Sequence, residues 1–355
     1  MRILVIGATG FIGQHICVSL LQQGHELRIL SRNSHAASEK LGITDCFQGD
    51  LNRLENVDFS ALYHDIDAVV FAAGVDERAE IVGDMDEFYY KHNVSQCARL
   101  IESAKYHGVK KFTVIGSIFS YWSRMYPELN LTQNHAYIRS RIQQQDICLR
   151  FNSDDFQVSV LEIPLVLGRA IGAKSVANSL AQYVRFSYPI FSLDGGMAVI
   201  SVSTLGQAVA NLQALDKFPP IVTLSDENMT WDALIGRFNQ VMNVSPRPVK
   251  KVSSELFLEL TQVGGFLSQL LRIDSGLNQK HMAQIVNSEI FVDVTETKAL
   301  LGFNGGDIDE AIVDTVAVAK RDGVAKPLWK TLDQSLNSFY QTSLQMKHKI
   351  FPSVS

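Results

Sequence analysis

A tyrosine and an arginine four residues apart are the side chains of this sequence best placed to do chemistry together. Tyr137 and Arg141 lie in HAYIRSRIQQQD (135–146), where a helical pattern runs on behind the tyrosine. A spacing of four places both side chains on the same face of a helix. A phenol has a pKa of about 10 and transfers protons poorly at neutral pH unless a nearby cation lowers that pKa. The pair therefore predicts acid–base chemistry at Tyr137, with Arg141 as the cation.

Short apolar runs that alternate with helical segments would position this pair. The predicted strands cover 2–7, 26–32, 43–47, 67–74, 110–117 and 158–168, and the clearest helices cover 11–23 and 85–107. Strands that alternate with helices predict right-handed βαβ units and a parallel sheet. Ligands bind such sheets beyond the carboxyl ends of the strands. We therefore expect the segments after the strands to line one crevice, namely 7–13, 31–32, 50–51, 72–74, 117–122 and 164–168.

The stretch GATGFIG (7–13) directly follows the first strand and opens a helix. Gly7 allows a tight turn, Gly10 lets the backbone approach a pyrophosphate, and Gly13 lets helix and strand pack closely. The free N–H groups and the positive dipole end of the helix then face the anion. The stretch predicts a dinucleotide-binding loop with contacts from Gly7, Thr9, Gly10, Phe11, Ile12 and Gly13.

The end of the second strand indicates which dinucleotide would bind. NAD-preferring sites usually carry an acidic residue about 20 positions after the glycines, where it binds the ribose 2′-hydroxyl. Here the strand ends in Leu30-Ser31-Arg32, without a carboxylate. Arg32 can pair with a 2′-phosphate, and Ser31 leaves room for it. We predict that NADP(H) is preferred over NAD(H), the alternative being that Arg32 is merely a solvated side chain.

Several motifs, in order along the chain, resemble the extended short-chain dehydrogenase/reductase family. This family includes NAD(P)-dependent epimerases, dehydratases and dihydroflavonol-reductase-like enzymes. The motifs are GATGFIG (7–13), GDL (49–51), FAAG (71–74), GVKKF (108–112), VIGSIFSYW (114–122) and PLVLG (164–168). The resemblance implies an enzyme with a Rossmann-type, doubly wound parallel sheet and a C-terminal substrate lobe.

The resemblance also implies roles for particular residues. In the family a serine polarises the substrate carbonyl, a tyrosine supplies the proton, and a lysine one helical turn later lowers the pKa of that tyrosine. Ser117, Tyr137 and Arg141 occupy these positions. Beside the cofactor the resemblance places Asp50 and Leu51 at the adenine, Ala72, Ala73 and Gly74 along the ribose, Asn93 on the long helix, and Pro164 and Leu167 near the nicotinamide.

Arg141 departs from the family pattern, which has lysine there. Arginine keeps the positive charge, but it is bulkier, planar and unable to release a proton. Three interpretations stay open: an active enzyme in which Arg141 replaces the lysine, a weakened enzyme, and a nucleotide-bound regulator or assembly factor without turnover. Two smaller departures are the segment 202–206, where the family often has V-D-D-L-A, and Glu162, where it often has arginine.

We predict reduction of a carbonyl group on a small molecule by hydride transfer, with Tyr137 as the general acid. Sugar-nucleotide epimerisation or dehydration is a further alternative. Reduction is favoured because no second carboxylate or lysine is evidently placed for dehydration, and because sugar-nucleotide enzymes more often use NAD. Candidate substrate contacts are Phe119, Ser120, Tyr121, Trp122 and Arg169.

The composition is that of a soluble globular protein, with 46% hydrophobic and 19% charged residues. A net charge of −5 offers no basic surface for nucleic acid. The N-terminal apolar run is too short for a signal peptide, so we expect a cytoplasmic protein, and polar residues interrupt the apolar stretch 255–271, which makes a membrane contact unexpected. The 4 cysteines and 9 histidines show no metal-ligand spacing, which predicts reduced thiols and no metal.

At 355 residues the chain exceeds what one core usually supports. We predict an NAD(P)-binding domain over 1–170, to which the chain returns near 195–215. A smaller, mostly helical substrate lobe would cover 171–325. A helical extension over 326–355 would pack on that lobe or form a contact in a homodimer.

Overall fold

The structure is a computed structural model that describes residues 1–79, 81, 83–242, 247–257, 259 and 276–321. The predicted extension 326–355 and most of the apolar stretch 255–271 lie outside the described residues. In the part of the chain that is described, no helix is both long and apolar enough to cross a bilayer.

The strands fall into three sheets. In chain order they are β1 (Arg2–Ile6), β2 (Glu26–Ser31), β3 (Cys46–Gln48), β4 (Ala68–Phe71), β5 (Lys111–Ile115), β6 (Gln157–Glu162), β7 (Leu165–Leu167), β8 (Ile190–Ser192), β9 (Gly196–Ser201), β10 (Ile221–Thr223), β11 (Glu227–Thr230), β12 (Val249–Lys251) and β13 (Glu289–Ile290). The large sheet has the order β10-β6-β5-β4-β1-β2-β3, and each neighbouring pair is parallel. The predicted Rossmann-type parallel sheet is confirmed.

The helices cover both faces of this sheet and build the second lobe. They are α1 (Phe11–Gln22), α2 (Ser34–Leu41), α3 (Phe59–Tyr63), α4 (Met85–Tyr89), α5 (Gln96–Tyr106), α6 (Ile118–Met125), α7 (Leu131–Asn134), α8 (Ala136–Leu149), α9 (Ala177–Phe186), α10 (Val202–Gln213), α11 (Trp231–Met242), α12 (Gln279–Val286), α13 (Thr295–Leu301) and α14 (Ile308–Arg321). A π-helical turn, Tyr90–Ser95, joins α4 to α5, so the helix predicted over 85–107 contains one wide turn.

Strand β1 shows why the first strand is apolar throughout. Successive side chains of a strand point to opposite faces of the sheet. Ile3 and Val5 pack in the cluster that includes α1 and α10, whereas Leu4 and Ile6 pack in the cluster that includes α5. All four are fully buried, as expected for a parallel sheet covered on both faces.

The strand predicted over 158–168 is in fact two strands. β6 ends at Glu162 in the large sheet, and β7 begins at Leu165 and pairs with β9 in a second sheet. Pro164 stands between them, and a proline cannot donate the ladder hydrogen bond that a central strand requires. The chain therefore leaves the large sheet at the carboxyl edge where ligands of this fold bind.

The second lobe contains strands as well as helices. β9 pairs with β7, β11 and β13, and β8 pairs with β12. Between β9 and β11 the chain returns to the first lobe, because α10 packs along α1 and β10 extends the large sheet beside β6. Gly206 permits the close approach of the two helices, because an added Cβ would lie 2.7 Å from the His15 carbonyl oxygen. The domain limits 1–170, 171–325 and 326–355 stay predictions.

Candidate active site

The loop after β1 has the shape that a dinucleotide pyrophosphate needs. Gly7 has φ +92°, and a Cβ added there would lie 2.7 Å from the Ala73 nitrogen. At Gly13 an added Cβ would collide with the Gly7 carbonyl oxygen. Gly10 caps α1 without a side chain, and the first helical hydrogen bond runs from the Gln14 N–H to the Gly10 carbonyl. The N–H groups of Phe11, Ile12 and Gly13 precede that bond and can face an anion.

A lysine that sequence reasoning missed lies against this loop. Lys40, at the end of α2, donates a hydrogen bond from Nζ to the Thr9 carbonyl oxygen at 3.0 Å. Arg32 is exposed and Ser31 binds the Asn33 carbonyl, both at the carboxyl end of β2. Two cations therefore flank the end of the crevice where the sequence places the adenosine ribose.

The remaining predicted cofactor residues lie around the same carboxyl edge, with different exposures. Asp50 caps the turn that begins at Leu51, and its carboxylate accepts the Asn52 N–H at 3.0 Å. Ala72 and Ala73 are partly exposed after β4, directly over Gly7. Pro164 follows β6.

Leu167 is fully buried in the core of the second lobe, with Ala177 and Val199. Any contact of Leu167 with a cofactor would therefore come from its backbone.

Ser117, Tyr137 and Arg141 are brought together at the carboxyl end of β5. Ser117 begins α6, and its hydroxyl accepts the Phe119 N–H at 3.4 Å. Tyr137 and Arg141 lie on the inner side of α8, where both side chains are buried. Arg141 Nη2 donates to the Ile115 carbonyl oxygen at 2.5 Å, so the guanidinium lies beside the last residue of β5. The structure therefore brings the three side chains together, and their catalytic roles stay a prediction.

Burial raises the pKa of Tyr137 to about 12. The charge of Arg141 and a side-chain hydrogen bond with Ser117 act in the opposite direction and lower the pKa of Tyr137. Tyr137 is thus a protonated phenol at neutral pH, and its two predicted partners favour its ionised form.

Asn93 holds the loop after β4 against α8. It lies in the π-helical turn and is fully buried. Its Oδ1 accepts the Val75 N–H at 2.8 Å, and its Nδ2 donates to the Val75 carbonyl and to the Ser140 hydroxyl. A Cβ added to Gly74 would lie 3.2 Å from Asn93 Oδ1 and 3.3 Å from Arg141 Nη1. The side chain of Asn93 thus positions Gly74 beside Arg141.

Aromatic rings enclose Tyr137 on two sides. The Phe119 ring lies edge-on at 6.1 Å between centroids, and the Tyr89 ring lies at 5.6 Å. Among the predicted substrate contacts, Ser120 and Trp122 are buried, while Tyr121 is partly exposed.

Two described arginines on the predicted substrate side form ion pairs. Arg124 forms a bidentate ion pair with the fully buried Glu162, with distances of 2.6 and 2.9 Å. Arg169, predicted as a substrate contact, pairs with Asp314 at 3.0 Å. Neither arginine is free to bind a phosphate without giving up its carboxylate.

A short segment of the second lobe covers Tyr137, and sequence reasoning missed it. Residues 276–278, here called the strap, bind both the loop after β4 and the start of α8. The Tyr137 N–H donates to the Gly276 carbonyl at 3.0 Å, and the Gly276 N–H donates to the Glu77 carbonyl at 3.2 Å. The Asn278 N–H donates to His135 Nδ1 at 2.9 Å. Burial lowers the pKa of His135 to about 4, so this acceptor is neutral at physiological pH.

The charged residues after β4 also escaped prediction. Asp76, Glu77 and Arg78 follow the FAAG motif, and their position at the end of a strand was the available signal. Asp76 pairs with Arg78 at 2.6 Å, and Arg78 also donates to the Ser175 carbonyl. Burial raises the pKa of Glu77.

The model of the NAD dependent epimerase/dehydratase family matches residues 3–186, which is more than half of the 355-residue chain. The matched region holds the glycine loop, Ser117, Tyr137 and Arg141.

Curated relatives match less than half of the chain. A UDP-glucose 4-epimerase of Klebsiella pneumoniae is 34% identical over 129 residues, which are 34% of this chain and 92% of that sequence. A UDP-glucose 4-epimerase of Bacillus subtilis is 30% identical over 172 residues, which are 45% of this chain and 50% of that protein. The match thus spans about half of the Bacillus enzyme.

Solved structures share the fold of nearly the whole chain. The crystal structure of gox2253 has a TM-score of 0.73 at 20% identity and covers 91% of this chain and 98% of its own. A UDP-glucose 4-epimerase from Bifidobacterium longum, in complex with NAD+ and UDP, has a TM-score of 0.62 at 15% identity and covers 91% and 99%. At such identities the likeness concerns the fold alone.

Proposed function

The chain belongs to the NAD dependent epimerase/dehydratase family, and on that premise we propose that it is an enzyme that moves a hydride between a secondary alcohol and a ketone. The observation that carries this proposal is the grouping of Ser117, Tyr137 and Arg141 at the carboxyl end of β5. A nicotinamide dinucleotide, bound at the glycine loop, supplies or accepts the hydride.

The chain's own residues handle the proton. Tyr137 donates its proton to a substrate oxygen as a carbonyl is reduced, and it takes a proton back as an alcohol is oxidised. Ser117 donates a hydrogen bond to the same oxygen. Arg141 stabilises the phenolate that Tyr137 becomes, because its charge lowers the pKa of Tyr137. The aromatic rings and the strap keep water from the phenol.

Epimerisation of a sugar nucleotide is the first reaction to test. The curated relatives are UDP-glucose 4-epimerases, and they favour this alternative over the simple reduction expected from the sequence. In such a reaction one ring carbon is oxidised to a ketone and reduced again from the opposite face. Tyr137 would take the hydroxyl proton in the first step and return it in the second.

Reduction of a small carbonyl compound by NADPH is the second candidate, and particular observations support it. Tyr137, with its pKa raised to about 12, is the protonated acid that reduction requires. Arg32 and Lys40 flank the position predicted for the adenosine ribose, which favours a 2′-phosphate. The arginines on the substrate side are paired with carboxylates.

The assay combines both candidates with variants of the phenol and the cation. We expect interconversion of UDP-glucose and UDP-galactose in the presence of a nicotinamide dinucleotide, or oxidation of NADPH with a panel of ketones. Tyr137→Phe should lower kcat by roughly 100-fold or more, since general acid–base catalysis contributes about 10² to 10⁴. Arg141→Lys should retain activity, because the cation is kept.

Two outcomes would contradict this proposal: tight dinucleotide binding without turnover, or a Tyr137→Phe variant as active as the parent protein. Binding without turnover would favour the nucleotide-bound regulator, whereas equal activity of Tyr137→Phe would show that another group supplies the proton. Calorimetric titration of the dinucleotide into Tyr137→Phe shows whether that variant still binds the cofactor.

A further inference from the structure

Replacing lysine by arginine in such a site keeps a cation and removes a proton donor. A lysine ammonium can give up a proton, whereas a guanidinium stays protonated in proteins. Tyr137 is buried beneath the strap and two aromatic rings, so its phenolate needs a nearby group that can return its proton. The proposed function therefore calls for a second titratable residue beside Tyr137.

The backbone of Glu77 lies directly above Tyr137. The Glu77 carbonyl accepts the Gly276 N–H, and the Gly276 carbonyl accepts the Tyr137 N–H. The neighbouring Asp76 carbonyl accepts the Tyr89 hydroxyl at 3.1 Å, and the Tyr89 ring packs against the Tyr137 ring. These contacts place residues 76 and 77 over the start of α8.

Among the described residues, the side chain of Glu77 is the carboxylate of this loop that forms no ion pair. Asp76 is held by Arg78, which is itself held by the Ser175 carbonyl. Within the described ranges Glu77 forms no ion pair, and the hydrogen bond that acts on its partly buried carboxyl group comes from its own backbone N–H. A partly buried carboxyl group without an ion-pair partner costs free energy when it is ionised, and such groups concentrate at functional sites.

Electrostatics agrees with this placement. The charge of Glu77 raises the pKa of both Tyr137 and Tyr89, and the charge of Arg141 lowers the pKa of Glu77. Burial is the largest influence on Glu77 and raises its pKa, so it carries a proton more often than an exposed glutamate does. Among the described residues, the titratable and charged groups that face Glu77 are Asp76, Arg78, Tyr89, Tyr137 and Arg141.

We propose that Glu77 is the proton relay of the site, passing protons between Tyr137 and the solvent in the crevice. This inference rests on the proposed function. During reduction Tyr137 gives its proton to the substrate oxygen, the Glu77 carboxylic acid returns a proton to the phenolate, and water reprotonates Glu77. During oxidation each transfer runs the other way. Arg141 thus supplies the positive charge, and Glu77 supplies the proton exchange that a guanidinium cannot perform.

The first test needs no substrate. Full-length protein labelled with [ζ-¹³C]tyrosine is titrated by NMR, with Tyr137→Phe to assign the signal. Glu77→Gln should shift the Tyr137 midpoint to lower pH, because a charge that raises the pKa of Tyr137 is removed. Glu102→Gln, which removes an exposed charge from α5, should leave the midpoint unchanged. Equal midpoints in the two variants would overturn the inference.

The second test is the pH dependence of kcat in whichever reaction the assay establishes. Glu77→Gln should lower kcat by roughly 100-fold, and the limb of the profile that reports Glu77 should vanish. Glu77→Asp, which keeps a carboxyl group, should retain that limb at reduced kcat. A Glu77→Gln enzyme with the parent kcat and profile would disprove the relay while leaving the proposed function intact.

Absence of turnover in the parent protein would instead remove the proposed function and the relay with it. In that case the NMR midpoints still show whether Glu77 acts on Tyr137. If Glu77→Gln does not fold, Glu77→Asp is used in both tests. Aspartate keeps the carboxyl group but is shorter by one methylene, so the charge lies farther from Tyr137. A Glu77→Asp enzyme identical to the parent in midpoint and profile would then overturn the inference.

Discussion

Among the described residues, Arg141 is held by the backbone rather than by an acidic partner. Its Nη2 donates to the Ile115 carbonyl, and its Nη1 lies beside Gly74. A guanidinium fixed in this way keeps a full charge near the phenol at every working pH. A swap of lysine for arginine therefore leaves the electrostatic part of the site in place and removes only its proton exchange.

The sequence was sufficient to place Ser117, Tyr137 and Arg141 together, because each follows a strand or a helical spacing with a fixed direction. It was not sufficient to find Glu77 or Gly276. Glu77 lies in a loop without periodicity, and Gly276 reaches Tyr137 from the other lobe through backbone hydrogen bonds. Backbone hydrogen bonds between distant segments do not depend on the side chains, so the residue types cannot predict them.

His135 makes the stability of the site depend on pH. Its pKa falls from 6.5 to about 4 on folding, chiefly through burial. Below pH 6.5 the imidazole of His135 is protonated in the unfolded chain but stays neutral in the folded protein. The free energy of unfolding therefore decreases as the pH falls from about 6.5 to 4. A shift of this size corresponds to about 3 kcal/mol. The asparagine amide oxygen in His135→Asn can accept the Asn278 N–H, and asparagine does not titrate. We therefore expect the free energy of unfolding of His135→Asn to depend less on pH between 4 and 6.5.

Urea unfolding between pH 4 and 7 measures the effect. His35→Asn, at an exposed histidine of α2, is the matched control for the loss of one imidazole. Parallel curves for His135→Asn and the parent protein would count against the buried neutral imidazole.

At the scale of elements, the strap leaves no room for a side chain at Gly276. A Cβ added there would lie 2.8 Å from the Tyr137 Cβ and closer still to the Tyr89 hydroxyl. Gly276→Ala must therefore displace the strap or the start of α8. We expect a loss of about 1 to 3 kcal/mol in the free energy of unfolding, typical of overpacking, together with a lower kcat.

Gly236→Ala provides the comparison. Gly236 lies within α11, and an added Cβ would meet nothing within 4 Å. Replacing a helical glycine by alanine should stabilise the protein by about 0.5 to 1 kcal/mol. Chemical denaturation measures the free energy of unfolding of both variants. A Gly276→Ala protein as stable as Gly236→Ala would show that the strap can shift at no cost in free energy.

Some elements could be predicted and others could not, for identifiable reasons. β1 and α1 have strong apolar patterns and appear nearly where the sequence places them. The π-helical turn that carries Asn93 has the same pattern as an ordinary helix, so the sequence could not reveal it. The division of the strand predicted over 158–168 depends on pairing between β7 and β9, which is a contact between lobes.

At the scale of the whole molecule, cofactor binding should stabilise the fold. A ligand present at 100 times its Kd adds about 2.7 kcal/mol to the free energy of unfolding. We expect NADP(H) to raise Tm more than NAD(H) does at equal concentration, because Arg32 and Lys40 can pair with a 2′-phosphate. Lys40→Met should reduce the difference between the Tm increases caused by NADP(H) and NAD(H), and it should leave the Tm increase caused by NAD(H) nearly unchanged.

Thermal melts with both dinucleotides make this measurement. Lys217→Met, an exposed lysine next to β10, controls for the loss of one positive charge. A larger shift with NAD(H) than with NADP(H) in the parent protein would contradict the assignment of Arg32 and Lys40.

The way in which α10 and β10 return to the first lobe bears on how this molecule could be rebuilt. A fragment ending at 170 would keep the glycine loop and the phenol, yet α1 would lose the helix that lies along it and β6 would become an open sheet edge. We expect such a fragment to aggregate. Anyone wishing to transplant the substrate lobe onto a related scaffold would therefore need paired splice junctions, one on either side of the returning segment.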